Sequence, residues 1–184
     1  MRGLGKIIAV IFLVVAVLPI LLFAGYDLTE FQSRRSDIAS LISGASADER
    51  NPSLATISLV RNSLGGKTSA FAARLLLDKL HIPWVTKGMF GWHATSALWW
   101  ACVAIHLSEQ EQVTIIASHS YMGNARYGFS TESTARFNKP LSSLSTAEIA
   151  TVVALTKAPS LYASSPERLA QRRDWLLSTL SNGS

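Results

Sequence analysis

The sequence contains one cysteine, few charges and no alternation of apolar and polar residues long enough to indicate a β-strand. Because Cys102 is the one cysteine in the sequence, an intrachain disulfide and a zinc site built from several cysteines are both excluded. Charged residues make up 16% of the 184 residues and apolar residues 48%, a composition too apolar for a disordered chain. These absences favour a folded, all-α protein.

The longest uncharged run covers residues 7–25. As a helix rising ~1.5 Å per residue, this run is long enough to cross the hydrocarbon core of a bilayer, about 30 Å thick. A cleaved signal peptide is the alternative, but its apolar region is normally only about 7–15 residues and ends at a small-residue cleavage site. We therefore expect an uncleaved anchor. Arg2 and Lys6 predict a cytoplasmic N-terminus, because positive charges near a membrane span favour the cytoplasmic side. Arg34 and Arg35 on the other flank weaken this prediction a little.

Helical spacing of apolar residues, helix caps and breaking Pro or Gly residues predict a series of helices after the anchor. A polar stretch from residue 26 leads into a short amphipathic helix near 38–42, and residues 43–47 are expected to break it. Further helices are predicted at 54–64, 70–80, 89–107, 108–122, 130–137, 145–158 and 165–180. In the helix at 70–80, the buried face is expected to contain Phe71, Leu75, Leu76 and Leu80.

Residues 89–107 form the most apolar stretch after the anchor. A second membrane span is one interpretation, but His93, Thr95 and His106 interrupt it. We expect a helix that is either buried in the domain or lies at the bilayer surface. Trp92, Trp99 and Trp100 suit an interfacial position, with a core position as the close alternative.

Two helices begin with a capping box, in which a serine and a glutamate three residues later bond each other's backbone N–H groups. The pairs are Ser108 with Glu111 and Ser145 with Glu148. Pro159 is expected to end the second of these helices. The last helix is predicted to begin with Ser165 as its cap and Pro166 at its first position.

The second half of the chain also carries an ordered series of short motifs: Gly123-Asn124, Tyr127-Gly128, Phe137-Asn138-Lys139, the run from Leu144 to Ala150, Ala158-Pro159-Ser160 and Arg172-Arg173. Over about residues 108–180 this series resembles the peptidoglycan glycosyltransferase domain, the transglycosylase module of penicillin-binding proteins. Upstream, the stretch from Gly65 to Thr68 is similar to the family's Gly-Gly-Ser-Thr donor-site motif. The resemblance implies an all-α, lysozyme-like helical domain behind one N-terminal transmembrane helix.

The resemblance also implies a domain organisation and a location. We expect an anchor at 1–25, a linker with the first helices at 26–64, and a transglycosylase-like domain at 65–184. The protein is expected in the bacterial inner (plasma) membrane as a single-pass protein. Its C-terminal domain would lie in the periplasm or otherwise outside the cytoplasm.

The residues that the family uses for catalysis are not found at the matching positions. The resemblance implies a glutamate base in a Glu-Asp-x-x-Phe-x-x-His segment, but residues 26–80 contain neither a histidine nor a Glu-Asp pair. Residues 92–107, at the place of an Arg-Lys-x-x-Glu helix, contain no carboxylate, Arg or Lys. The remaining candidates for a base are Glu30, Glu49, Glu109 and Glu132. The candidates for binding the substrate and its phosphates are Lys67, Thr68, Arg74, Lys79, Lys87 and Arg126.

Three functions remain open. The interpretation we favour is a catalytically degenerate relative, a pseudoenzyme that binds lipid, glycan or a cell-wall partner. The alternatives are an active, diverged glycosyltransferase that polymerises lipid II with relocated residues, and a helical membrane interaction protein unrelated to cell-wall synthesis. We expect the lipid bilayer, a lipid-linked cell-wall precursor or glycan, and cell-wall synthesis proteins as partners, and no nucleic acid. No cofactor and no metal are expected.

Overall fold

A computed structural model describes residues 13–181, and the chain divides into two compact units, Met1–Ile38 and Ala39–Ser184. The N-terminal helix α1 spans Val14–Ser43 and is, within the described residues, the one helix long and apolar enough to cross a membrane. Residues 7–12 of the predicted anchor, with Arg2 and Lys6, lie outside the described part. The helix continues through the polar stretch after residue 26, partly as π-helix at Asp27–Phe31. The short helix predicted near 38–42 is present as the last α-helical part of α1, Arg35–Ser43, with Ile38 buried, and it is continuous with the helix before it. The polar side chains after residue 26 did not interrupt the backbone hydrogen bonding of the helix.

Short connections join the elements that follow α1, and the predicted domain boundaries at 25/26 and 64/65 remain predictions. In chain order the helices and strands are α2 Ala47–Arg50, α3 Leu54–Ser63, α4 Thr68–Lys79, α5 Met89–His106, α6 Glu109–His119, β1 Tyr121–Gly123, β2 Arg126–Tyr127, α7 Phe129–Phe137, α8 Thr146–Leu155, α9 Pro159–Ser164 and α10 Pro166–Ser181. A 3-10 turn, Leu141–Ser143, precedes α8. The fold is all-α, as predicted.

The core of the second unit is centred on α8, which packs against α3 and α10. From Ile149 to Leu155, all residues of α8 except Thr151 are buried. This helix is therefore apolar around most of its circumference and not on one side alone. The capping box of Ser145 and Glu148 starts α8 as predicted, with both reciprocal hydrogen bonds present. Ser108 and Glu111 cap α6 in the same way.

Helix α4 packs against α5 and α6, and its buried face differs from the prediction. Ala72, Ala73 and Leu76 are buried, whereas Phe71 and Leu75 are only half-buried. The prediction was correct for Leu76 and wrong for Phe71, Leu75 and Leu80, which are only partly buried, because it followed the largest side chains. The two alanines allow close approach of the neighbouring helices, and Phe71 and Leu75 are left at the edge of a cleft described below.

Pro159 begins a helix instead of ending one. Helix α8 already ends at Leu155, and Pro159 occupies the first turn of α9. This position suits proline because the N–H that it lacks would have had no partner inside the helix. The prediction for Pro166 was correct, since α10 begins there.

A small β-hairpin occupies part of the loop that was predicted between Gly123 and Gly128. Its strands pair antiparallel, with Tyr121 opposite Tyr127. Asn124 and Ala125 turn the chain in the left-handed region, at φ 52° and 58°. Two strands of three and two residues are too short to produce a sequence alternation, so no strand was predicted.

The segment that precedes α5 is held tightly against that helix. The backbone N–H of Val85 donates to Thr95 Oγ1 at 2.9 Å. The carbonyl group of Thr86 lies so close to Gly91 that a Cβ there would be 1.7 Å from the oxygen. Gly91 is therefore required by a close backbone approach. Helix α5 buries Thr95, Trp99 and Cys102 on one side and leaves its other side exposed.

Candidate functional site

A small pocket at the start of α4 brings three cationic side chains together. It has a volume of about 200 Å³ and is lined by Leu64, Lys67, Ala70, Phe71, Arg74 and Lys157. We call it the cationic pocket. Arg74 is exposed, and no carboxylate lies among the lining residues. Three positive charges without a neutralising carboxylate favour an anionic ligand such as a phosphate.

The backbone at the start of α4 adds to this positive charge. Gly65 and Gly66 adopt positive φ values of 59° and 76°, which turn the chain out of α3 and into α4. The cap residue Lys67 gives no side-chain hydrogen bond to the helix terminus. Thr68, at the first position, is buried and its Oγ1 atom has no hydrogen-bond partner. A helix N-terminus without a side-chain cap attracts anions through its free N–H groups and its dipole.

A larger cleft adjoins the cationic pocket, with which it shares Phe71 and Arg74. The cleft has a volume of about 550 Å³ and lies between α4, α5 and the segment before α5. Aromatic and polar side chains alternate along its wall. They include Arg74, Asp78, His81, Trp84, Trp92 and Ser96. We call it the aromatic cleft, and its mixed lining can hold both the apolar face and the hydroxyl groups of a sugar.

The other cations predicted to bind the substrate lie elsewhere. Lys79 sits over the ring of Tyr127, 5.2 Å from its centroid. Lys87 borders a shallow depression beside Trp84. Arg126 donates to the carboxylate of Glu132 at 2.7 Å. The structure thus brings Lys67 and Arg74 together with Lys157, beside Thr68, and leaves the other three outside the cationic pocket.

Glu49, a candidate base, has both carboxylate oxygens occupied. It is the third residue of α2, and its Oε2 accepts from the backbone N–H and the hydroxyl of Ser46 at 3.2 and 2.9 Å. Its Oε1 accepts from the backbone N–H of Ser130 at 3.0 Å. Glu49 lines a cavity of about 550 Å³ together with Asp48, whose carboxylate accepts from the Ser142 backbone N–H. These bonds connect α2 to the loop before α8 and to α7, which is a structural role.

Glu132, a second candidate, is fully buried between two arginines. Its Oε2 accepts from Arg126 at 2.7 Å and its Oε1 from Arg136 at 2.8 Å. Arg126 belongs to β2 and Arg136 to the last turn of α7. The carboxylate therefore fastens the hairpin to α7 and is shielded from solvent.

The last two candidates also lie outside the cationic pocket. Glu109, in the first turn of α6, forms an ion pair with Arg61 of α3. The hydrogen bond from Arg61 lowers the pKa of Glu109. The carboxylate therefore stays charged and is less able to accept a proton. Glu30 lies in the π-helical part of α1, where its backbone carbonyl accepts from Ser33. The assignment of a base to any of the four stays a prediction.

His119 has an unusual environment but no metal-site geometry. Burial lowers the pKa of His119, and the charge of Lys79 lowers it further, while Glu49 and a hydrogen bond to the backbone of Leu41 act in the opposite direction. Its Nε2 atom is buried without a hydrogen-bond partner. Among residues 13–181, no group of three or more His, Cys, Asp or Glu side chains is arranged to hold a metal ion.

Lys157, Asp78 and His81 are the titratable side chains of these two cavities that sequence reasoning missed. Lys157 follows the end of α8, and only the fold brings it to the start of α4, so no local pattern indicated it. Asp78 lies one turn after Arg74 on α4, a spacing that places both on one helix face. His81 has a left-handed backbone at φ 51° directly after this helix.

The described residues form an all-α fold in which a cationic pocket adjoins an aromatic cleft. Comparison with known proteins relates part of the chain to a family. The model of the transglycosylase family matches residues 106–181, from the end of α5 to the end of α10. Over this segment, which is less than half of the chain, the sequence is similar to the transglycosylase family.

A curated relative agrees with the family match. Penicillin-binding protein 1A of Pseudomonas aeruginosa is 36% identical to the chain over 73 residues. The alignment covers 39% of the chain and 9% of that relative. The segment matched by the family model contains α8 and Lys157, whereas Lys67 and Arg74 lie before it.

Proposed function

We propose that this protein is a membrane-anchored, transglycosylase-like protein of peptidoglycan synthesis that binds a lipid-linked cell-wall precursor or glycan without polymerising it. The observation that carries the proposal is that the cationic pocket contains no base, while three of the four candidate glutamates are engaged elsewhere. The cationic pocket is lined by three cations and no carboxylate. Glu49, Glu109 and Glu132 are each engaged in hydrogen bonds or ion pairs that hold the fold together.

Binding and turnover make different demands on these residues. Binding a pyrophosphate-linked sugar needs cationic groups and a cleft for the sugar, and an uncapped helix N-terminus adds to the attraction. Transfer of the sugar also requires a base within hydrogen-bond reach of the acceptor hydroxyl, typically worth about 10²–10⁴-fold in rate. A glutamate whose two oxygens already accept backbone or arginine N–H groups is poorly placed to take a proton.

One observation favours an active enzyme as the second candidate. Asp78 lines the aromatic cleft together with Arg74 and is exposed, so its carboxylate is available to a ligand there. In this alternative, Asp78 would act as the base on a sugar hydroxyl, and the cationic pocket would stabilise the departing pyrophosphate. The match at residues 106–181 speaks against the third interpretation, an unrelated helical membrane protein.

The test measures polymerisation and binding of labelled lipid II on one preparation of the full chain in detergent. We expect binding without chain formation, and we expect Arg74→Ala and Lys157→Ala to weaken binding about 10-fold each, the value of one charged contact of about 1.4 kcal/mol. Arg168→Ala is the matched control, because Arg168 is exposed on α10 and lies outside both cavities.

Glycan synthesis above background would contradict the proposal. If Asp78→Asn then abolished that synthesis, the active alternative would be established with its base. Absence of both binding and turnover would also contradict the proposal and would point to a protein partner in the cell wall.

A further inference from the structure

The aromatic cleft has one carboxylate among its lining residues, and the fold makes no use of it. This residue is Asp78, which is exposed and lies four residues after Arg74 on α4. Within residues 13–181, no hydrogen bond and no ion pair engages the Asp78 carboxylate. Its backbone carbonyl accepts from the N–H of His81 at 3.2 Å, which fixes the end of the helix. The side chain of Asp78 is therefore available to a ligand.

The opposite wall of the cleft offers a second polar group that the protein leaves unused. Ser96 of α5 lines the cleft, and its Oγ atom is buried without a hydrogen-bond partner in the described part of the chain. The neighbouring hydroxyl of Thr95 is occupied, because its Oγ1 accepts from the backbone N–H of Val85 at 2.9 Å. A buried hydroxyl without a partner costs free energy, which a ligand that bonds it recovers. The cleft thus presents hydrogen-bonding groups on both of its helical walls.

Two tryptophans give the cleft its apolar surface. Trp84 is 55% exposed and Trp92 is 38% exposed, and both line the cleft. The apolar side of a sugar ring packs on such rings, while the hydroxyl groups at its edge can reach Asp78 and Ser96. A hydrocarbon chain fits less well, because it would cover the charges of Arg74 and Asp78 without forming hydrogen bonds with them. The lining therefore favours a sugar as the occupant.

The position of Arg74 sets the direction in which such a ligand lies. Arg74 belongs to both cavities, with Lys67 and Lys157 in the cationic pocket and Asp78 in the aromatic cleft. Four residues of α-helix, a rise of ~6 Å, separate Arg74 from Asp78. This distance is of the size of one sugar ring, so a sugar linked directly to a phosphate in the cationic pocket would lie beside Asp78. Because the phosphate then engages Arg74, the charge of Asp78 is left to act on the sugar.

We propose that Asp78 determines which sugar the aromatic cleft accepts. Its carboxylate selects a sugar that presents hydroxyl, amide or ammonium groups, and it repels a sugar that carries a carboxylate of its own. This inference rests on the proposed function, because it takes the phosphate of the ligand to bind in the cationic pocket. It deepens that function by naming the charge of the sugar and the residue that recognises it, and it does not depend on turnover.

The test uses three soluble probes that share one pyrophosphate and differ in the charge of the sugar. UDP-glucosamine, UDP-glucose and UDP-glucuronate carry a positive, a neutral and a negative sugar on the same UDP group. Their affinities for the full chain in detergent are measured by saturation-transfer NMR, with UDP as the reference without a sugar. We expect affinity to fall in this order by about 3–10-fold at each step, the size of one charge contact partly screened by water. The net charge of +5 alone would give the opposite order.

Variants of the cleft separate the effect of Asp78 from that of overall charge. Asp78→Asn should bring the three affinities close together, and Asp78→Lys should reverse their order. Asp174→Asn is the matched control and should keep the order, since Asp174 is exposed on α10, lies outside both cavities and changes the net charge by the same amount as Asp78→Asn. Trp84→Ala should remove most of the gain of UDP-glucose over UDP. Thermal unfolding of each variant shows whether the fold is retained.

Three results would overturn the inference. The first is equal affinity of the unchanged protein for UDP-glucose and UDP-glucuronate, or an order that persists in Asp78→Asn. The second is stronger displacement of UDP-glucose by farnesyl phosphate than by inorganic phosphate, which would place a hydrocarbon chain in the cleft. The third is a lack of binding by all three probes. The lipid II assay on the same preparation distinguishes the two proposals, because lipid II binding with any of these results refutes the role of Asp78 alone.

Discussion

Replacing Glu132 tests whether this buried carboxylate holds the fold or serves chemistry. Its side chain is fully buried and accepts from Arg126 and Arg136, which keep 30% and 28% of their side-chain exposure. Removing one partner of a buried ion pair typically costs about 3–5 kcal/mol. Because both arginines retain contact with water, the charges left behind are partly hydrated. We therefore expect Glu132→Gln to cost about 3 kcal/mol, the lower end of that range.

The measurement is urea unfolding of the full chain in detergent, followed by tryptophan fluorescence. With a slope of roughly 2 kcal/mol/M, a loss of this size moves the midpoint down by about 1.5 M without changing the slope. Glu109→Gln is the control, since its pair with Arg61 is largely exposed and should be worth at most about 1 kcal/mol. A midpoint for Glu132→Gln within error of the unchanged protein would refute the structural role.

Three further predictions concern the helix cap at Ser145, the stability of the fold at low pH, and the close contact between Thr86 and Gly91. Ser145→Ala should lower the free energy of unfolding by about 1 kcal/mol, because the helix cap is lost. Ser142→Ala is the control and should have little effect, because Ser142 bonds Asp48 through its backbone N–H. Equal effects of the two variants in thermal melts would argue against the cap. The hydrogen bonds from Lys139 and from the Ser145 backbone lower the pKa of Glu148 to about 2. The ionised Glu148 therefore stabilises the fold above its unfolded-state pKa of about 4.3, and this stabilisation is lost as the pH falls towards 2. Glu148→Gln should make the free energy of unfolding less dependent on pH in this range. An unchanged pH dependence would contradict the prediction. Gly91→Ala should destabilise the segment before α5, because its Cβ would overlap the Thr86 carbonyl; faster hydrogen exchange at Val85 would show it, and unchanged exchange would count against it.

The elements that depend on local chemistry were predictable from the sequence. Ser108 and Ser145 begin their helices because serine and a glutamate three positions later satisfy free N–H groups whatever the rest of the fold does. The same pattern at Ser46 and Glu49 was present and was overlooked, so Glu49 was taken as a candidate base. Elements whose form depends on tertiary contacts were not predictable. The buried face of α4 is set by close packing on Ala72 and Ala73, which no hydropathy pattern of α4 alone reveals.

The candidate site divides in the same way. Lys67, Thr68 and Arg74 were predicted from a short motif and its neighbours, and the structure places them around one helix terminus. Lys157 comes from a different helix end, more than eighty residues away in sequence, and only the packing of α8 brings it there. The burial of Glu132 could not be predicted either, because a glutamate is usually exposed and only the tertiary contact with the hairpin places it beside Arg126.

The contact between Thr86 and Gly91 has a consequence for the speed of ligand capture. With Val85 bonded to Thr95 and the Thr86 carbonyl pressed on Gly91, the segment that carries Trp84 is fixed before any ligand arrives. A wall that is already in place loses little conformational entropy on binding, and no ordering step precedes the encounter. Association with the aromatic cleft should accordingly rise in proportion to ligand concentration, without the plateau that a slow loop closure would impose.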